Sequence, residues 1–367
     1  MTCCEDKVTG TDWKFLVNRP DFRNPVQGVW NNCTFVAALT SICWVNPKFI
    51  KKLTDPPVDS YTITLHEEIT GNRPAVSIKP SLCVVDHNAS PLSFCGSKHN
   101  QFYTTKEVWP AMYEKAYAKF CFYKKNKTLV PYEKLSDPKF WPIDANGNFI
   151  SPCSLSHEEW GGDPVTAMLR ISGCSAFSNY CFTPDKEGFP KRDSPTKWNY
   201  PNPPCTCTGT TDIGNFLKTC LSSRGKTTRP TAAWTYPKEK GLNSDGVEVR
   251  YVPDGCTYSL SGIQKNHSYS ILGIHEPGDG KQYIVLRNPC GVDPSDSDIL
   301  AKIYTGNTAW TPDNSYYKFC TRGINPTADG PGLPGAYTIS LSDQDGVFGL
   351  LASEFTNYFQ GFGWLQP

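Results

Sequence analysis

The chain is 367 residues long and carries 36 basic and 35 acidic side chains, a formal net charge of +1. That length accommodates one large domain or two with ample core. The balanced charge, without a basic block, argues against nucleic acid or an anionic membrane as a partner, and no apolar run reaches the ~20 residues of a membrane span. Sixteen cysteines are scattered along the chain, and Cys205 and Cys207, a close pair, have no histidine or second cysteine pair nearby to make a zinc site. So high and dispersed a count fits disulfides in an oxidising compartment.

Residues 1–23 read as a lead-in segment, and the first residues lack the apolar stretch of a signal peptide. Pro25, Gly28, Asn31 and Asn32 mark a loop. From Cys33 the chain reads as a helix to about residue 45, because Cys33, Val36, Ala37, Thr40, Ser41 and Trp44 share one face, with Asn31 or Asn32 as the N-cap. Residues 55–103 read as short strands and turns, with Ser60–Leu65 alternating as a half-buried strand does. A second helix is expected over 106–120, capped by Thr105, with Trp109, Met112, Tyr113, Ala116 and Phe120 on its core face. A third, over 163–172, follows Gly161 and Gly162.

Residues 178–210, rich in proline and without periodicity, read as an insertion or linker. A helix over 211–222 comes next. Strands are then expected at 231–236, 247–252, 267–275 and 283–288, the last two joined through Glu276-Pro-Gly-Asp-Gly280 as a hairpin. Residues 336–340 and 347–351 look strand-like and 351–359 helical. Helices in front and strands behind give an α+β protein of two lobes: residues 1–177 helical, and 211–367 β-rich.

Cys33 stands in the first turn of its helix, where unpaired N–H groups and the positive dipole end favour a thiolate. Gln27, six residues upstream, can offer an amide N–H to an oxyanion at a carbonyl attacked by that sulfur. A thiolate nucleophile needs a base and something to orient it. His267 opens one strand of the hairpin and Asn288 closes the other, so an antiparallel pairing makes them neighbours. His275, nearer the turn, fits the role less well.

Gln27-Gly28 with Cys33, Glu107 to Lys119 with its Glu114-Lys-Ala-Tyr-Ala-Lys119 run, Asn266 to Ile271, Arg287-Asn-Pro-Cys-Gly291 and Asp345-Gly-Val-Phe348 together resemble the calpain-type cysteine protease core, in order from about residue 20 to 360. The resemblance implies a papain-like fold with a cleft between its lobes. It implies Cys33 as nucleophile, His267 as base, Asn288 as its orienter and Gln27 as oxyanion donor, with Gly173 and Asn266 binding the substrate backbone. It implies a protein or peptide substrate, a monomer and no organic cofactor.

This chain departs from the family at four places. Thr34 and Cys290 stand where the family has tryptophan, the second of which shields the His–Asn hydrogen bond. Asn24 stands where it has an acid, and no acid lies near Leu169. Calcium activation is therefore not expected, and no metal is assigned. Four glycosylation sequons, at Asn32, Asn88, Asn126 and Asn266, accompany the cysteines in favouring secretion over a cytoplasmic location, although those at Asn32 and Asn266 overlap the site. Alternatives on the same scaffold are a catalytically weak or inactive binding protein, such as an effector or decoy, and an acyl-transfer or peptide-ligase relative.

Overall fold

The structure is a computed structural model. It describes residues 4–7, 14–16, 20–28, 31–50, 53, 55, 58–67, 71–86, 89–92, 107–148, 150, 154–156, 159–160, 162–181, 213–236, 240–242, 248–250, 258–320 and 338–366. Of the sequence expectations, most of the 178–210 segment and the Thr105 cap lie outside the described residues.

Three helices matter for the site: α1 (Cys33–Val45), α2 (Trp109–Lys125) and α3 (Pro164–Ser172). The bounds of α1 and α3 follow the sequence reading closely. Helix α2 starts later, because Pro110 is tolerated only in the first turn, and runs five residues beyond the expected end. Asp163 caps α3 by accepting from the Thr166 N–H at 2.9 Å. Asn32 occupies the N-cap position of α1 without capping it; its side chain donates instead to Glu114 of α2.

The larger sheet is built from β1 (Ala176–Cys181), β2 (Thr231–Thr235), β3 (Ser268–His275), β4 (Tyr283–Arg287), β5 (Val347–Leu351) and β6 (Phe359–Gln366). Their spatial order is β5-β4-β3-β2-β6-β1, antiparallel throughout. Two-residue strands at 222–223 and 226–227 attach to β3. The β3–β4 hairpin forms as the Pro-Gly-Asp-Gly turn predicts, with a register shift between Ile271 and Gly273. Strand β1 crosses the 177/178 boundary suggested by the sequence. The expected helix over 351–359 is only two short turns, at 352–354 and 355–358, leading into β6. Strand β6 carries Gly363, where a Cβ would meet the Val165 side chain at 2.6 Å; the missing side chain lets α3 lie close to the sheet.

One face of the sheet is sealed by Ile213, Phe216, Leu217, Phe355 and Tyr358, which meet Tyr269, Ile271, Ile274, Leu286 and Phe348 in one apolar cluster. The other receives the helices, with α1 touching β3, β2 and α3. All thirteen residues of α1 are buried. The single apolar face read from the sequence is thus an underestimate: Phe35, Leu39 and Ile42, between the counted positions, are covered too. The helix is a central strut, and the first residue of that strut is Cys33.

Lys119 anchors α2 to its surroundings. Its ammonium donates to the Ser77, Leu135 and Asp137 carbonyls at 3.0, 3.2 and 2.7 Å. Burial pulls its pKa down to about 8. A disulfide joins Cys174, just after α3, to Cys320 across 146 residues.

Candidate active site

The hairpin places His267. Alternation along β3 sends Ser268, Ser270 and Leu272 to the α1 side, and the ends of β3 and β4 that lie away from the turn bring His267 against Asn288. His267 Nε2 and Asn288 Oδ1 are 3.0 Å apart. Asn288 cannot be turned the other way: its amide nitrogen donates to the Val292 carbonyl at 3.1 Å, and its oxygen also accepts from the Cys290 N–H at 3.0 Å. Its oxygen is therefore an acceptor toward the ring, so Nε2 carries the proton and Nδ1 is the nitrogen able to take one. The ring is buried, and the Tyr269 ring meets it edge-on with centroids 5.0 Å apart. Tyr269 supplies an aromatic wall beside the histidine, on a strand position rather than in the place held by Cys290.

Gln27 reaches the same spot from the other side of the chain. Its N–H donates to the Pro289 carbonyl at 2.8 Å. The Cys290 sulfur contacts Gln27 Oε1 at 3.8 Å, His267 Nε2 at 4.0 Å and Gln264 Nε2 at 4.0 Å.

The loop before Gln27 is pinned at several points. Buried Arg287 donates to the Arg23 carbonyl at 2.7 Å and to Thr40 of α1 at 3.3 Å. Asn24 accepts from the Asp21 N–H and donates to Glu107, both at 2.9 Å. Both ends of the Asn24 amide are thus engaged by protein groups.

Cys33 carries a free thiol and is wholly buried. The sequence reading expects the helix start to lower its pKa. Burial outweighs that and pushes the thiol up to about 11, while the Ser268 N–H and hydroxyl and the Thr34 N–H act in the opposite sense. A wholly covered sulfur loses more hydration than one turn of helix dipole restores. Thr34, where a tryptophan was noted as missing, is buried and donates to the Trp160 carbonyl at 3.4 Å. Trp160 stacks on Tyr117 at 6.1 Å, and its carbonyl meets Thr34, so an indole lies next to α1 from a different loop.

The two expected substrate-binding residues sit differently. Asn266 is exposed beside His267, with a left-handed backbone (φ 49°) and its N–H donating to the Tyr236 carbonyl. Gly173 is the left-handed C-cap of α3, its N–H donating to Leu169 O at 2.8 Å, and the His66 ring fills the space where a Cβ would be. The structure thus brings His267, Asn288 and Gln27 together around Cys290, and gives Gly173 a helix-ending place.

Sequence reasoning gave Ser268, Arg287 and Glu114 no role of their own beyond the motifs that contain them; only the tertiary structure reveals their burial.

No family model matches the chain. It is similar, at 24% identity over 300 residues, to a Porphyromonas gingivalis protein named "Thiol protease"; the match covers 78% of this chain and 48% of that protein. The chain spans about half the length of the curated relative it matches.

Proposed function

We propose that this chain is a cysteine endopeptidase with a calpain-like, papain-type arrangement, in which Cys33 attacks the peptide carbonyl. His267 takes the thiol proton at Nδ1 and returns it to the leaving amine. Asn288 holds the ring in the tautomer that makes this possible. The Gln27 amide nitrogen and the backbone at Cys33 receive the oxyanion. Hydrolysis of the thioester by water, with His267 again as base, restores the thiol. Residues 1–177 and 211–367 form the two sides of the cleft, and Asn266 lines its rim.

The observation that carries this reading is the His267–Asn288 bond, fixed in direction by the Val292 and Cys290 backbone groups. The distant likeness to a thiol protease supports the same reaction class. Calcium independence fits the engagement of both ends of Asn24 by protein groups. Secretion fits the Cys174–Cys320 disulfide.

The test is cleavage of a fluorogenic peptide library by the wild type and by Cys33→Ala. Turnover in the wild type that the alanine variant lacks, with thermal unfolding nearly unchanged, is expected. Equal turnover in the two refutes the assignment, and no turnover in either favours a binding role on this scaffold.

A further inference from the structure

Among the described residues, the Ser268 hydroxyl is a buried side-chain oxygen with no hydrogen-bond partner. Serine at a wholly buried strand position is costly unless something needs its oxygen. Across the sheet, its neighbour on β2 is Trp234, which makes no demand for a polar partner there.

The register of α1 along β3 places that hydroxyl. Ser270 donates to the Ala37 carbonyl at 2.8 Å. One helical turn back from Ala37 is Cys33, about 6 Å along the axis at ~1.5 Å per residue. Two residues back from Ser270, on the same face, is Ser268, about 6.8 Å along the strand at ~3.4 Å per residue. Helix and strand advance in step, so Ser268 is level with Cys33. Its N–H and its hydroxyl both bear on the Cys33 sulfur.

We infer that Ser268 is a further catalytic residue, whose hydroxyl donates a hydrogen bond to the Cys33 thiolate and so governs how readily the buried sulfur ionises. The inference rests on Cys33 as the nucleophile. In the neutral state the thiol makes a poor acceptor, and the serine oxygen is left unpaired. When the thiol proton passes to His267, the sulfur becomes a strong acceptor in a dry site and the hydroxyl turns to it. The serine keeps its proton throughout; no bond to its oxygen is made or broken.

The experiment follows alkylation of resting Cys33 by iodoacetamide against pH, read by mass spectrometry of the Cys33 peptide, in wild type, Ser268→Ala, Ser268→Thr and Ser268→Val. His267 before β3, Cys290 after β4, Tyr269 on β3 and Glu114 of α2, which reaches the site through Asn32, are the titratable groups around the sulfur. All persist in every variant, so a shift reports the hydroxyl. The midpoint should rise by about one pH unit in the alanine variant, a tenfold slower reaction below the midpoint. Threonine should keep the wild-type midpoint and isosteric valine should raise it, a comparison that stands even where alanine fails to fold. An unchanged midpoint in alanine or valine overturns the inference, as does a threonine midpoint as high as valine's. No peptide is cleaved in this assay, so absence of peptidase activity would refute the proposed function and leave the serine–sulfur result to be read on its own.

Discussion

Replacing Asn288 by alanine removes three polar contacts at once. The ring of His267 loses the acceptor at 3.0 Å that fixes Nε2–H, the Cys290 N–H loses its acceptor at 3.0 Å, and the Val292 carbonyl loses a donor at 3.1 Å. Cys290 and Val292 are only part-buried, so water satisfies much of what the backbone loses, and the stability cost should be about 1–2 kcal/mol, at the lower end for unpaired buried groups. The catalytic cost is larger. A ring free to flip presents the wrong nitrogen or the wrong tautomer for much of the time, and positioned proton transfer contributes about 10²–10⁴-fold. We expect kcat/KM to fall about 10²-fold, mostly in kcat, with KM little changed. Asn288→Asp keeps the acceptor and should lose less, while its charge raises the His267 pKa and moves the acid limb of the pH profile upward. The assay is steady-state peptide cleavage between pH 5 and 9, alongside thermal melts. An Asn288→Ala enzyme with wild-type kcat and the wild-type pH profile would refute the reasoning, because the amide would then have no part in orienting the base.

Asp293 accepts from the Gly346 N–H at 2.7 Å, and burial, followed by the charges of Asp345 and Asp343, raises its pKa to about 7. The folded state therefore holds a proton that the unfolded chain releases near pH 4. This stability is fully present below about pH 4 and is lost as pH rises through about 7; solvent screening at the edge of the site holds the effect to about 2 kcal/mol. Asp293→Asn should flatten the fall in melting temperature between pH 5 and 8; parallel curves for the two proteins would contradict this. Lys119→Met leaves three carbonyls without their ammonium donor, and relief of the buried charge offsets only part of that loss. A destabilisation of about 2 kcal/mol is expected by denaturant titration, and a variant as stable as wild type would show the lysine to be dispensable. Peptide cleavage in a strong chelator should match cleavage with added calcium; activity that vanishes and is restored by calcium would mean that carboxylates outside the Asn24 region hold the metal.

Local signals were legible in the sequence where chain and structure share a period. Helix α1 follows from the spacing of its apolar residues, and the β3–β4 hairpin from its Pro-Gly-Asp-Gly turn. Through that hairpin, the meeting of His267 and Asn288 follows as well. What the sequence hides is set by contacts distant along the chain. Strand β6 pairs with β2 and β1, more than a hundred residues upstream, and its Gly361 and Gly363 lower any local strand signal while permitting close approach. The complete burial of α1, which raises the Cys33 pKa instead of lowering it, depends on the sheet behind the helix. Ser268 and Arg287 are polar by type, and only the closing of α1 onto the sheet turns them into buried polar groups.

The most direct test of the account is to treat the folded protein with an irreversible thiol-directed peptidase inhibitor and map the adduct by mass spectrometry. The account predicts one inhibitor per chain, on Cys33, with labelling abolished by Cys33→Ala and slowed by His267→Ala. An adduct on Cys290 in place of Cys33, or stoichiometric labelling that ignores the loss of His267, would contradict it.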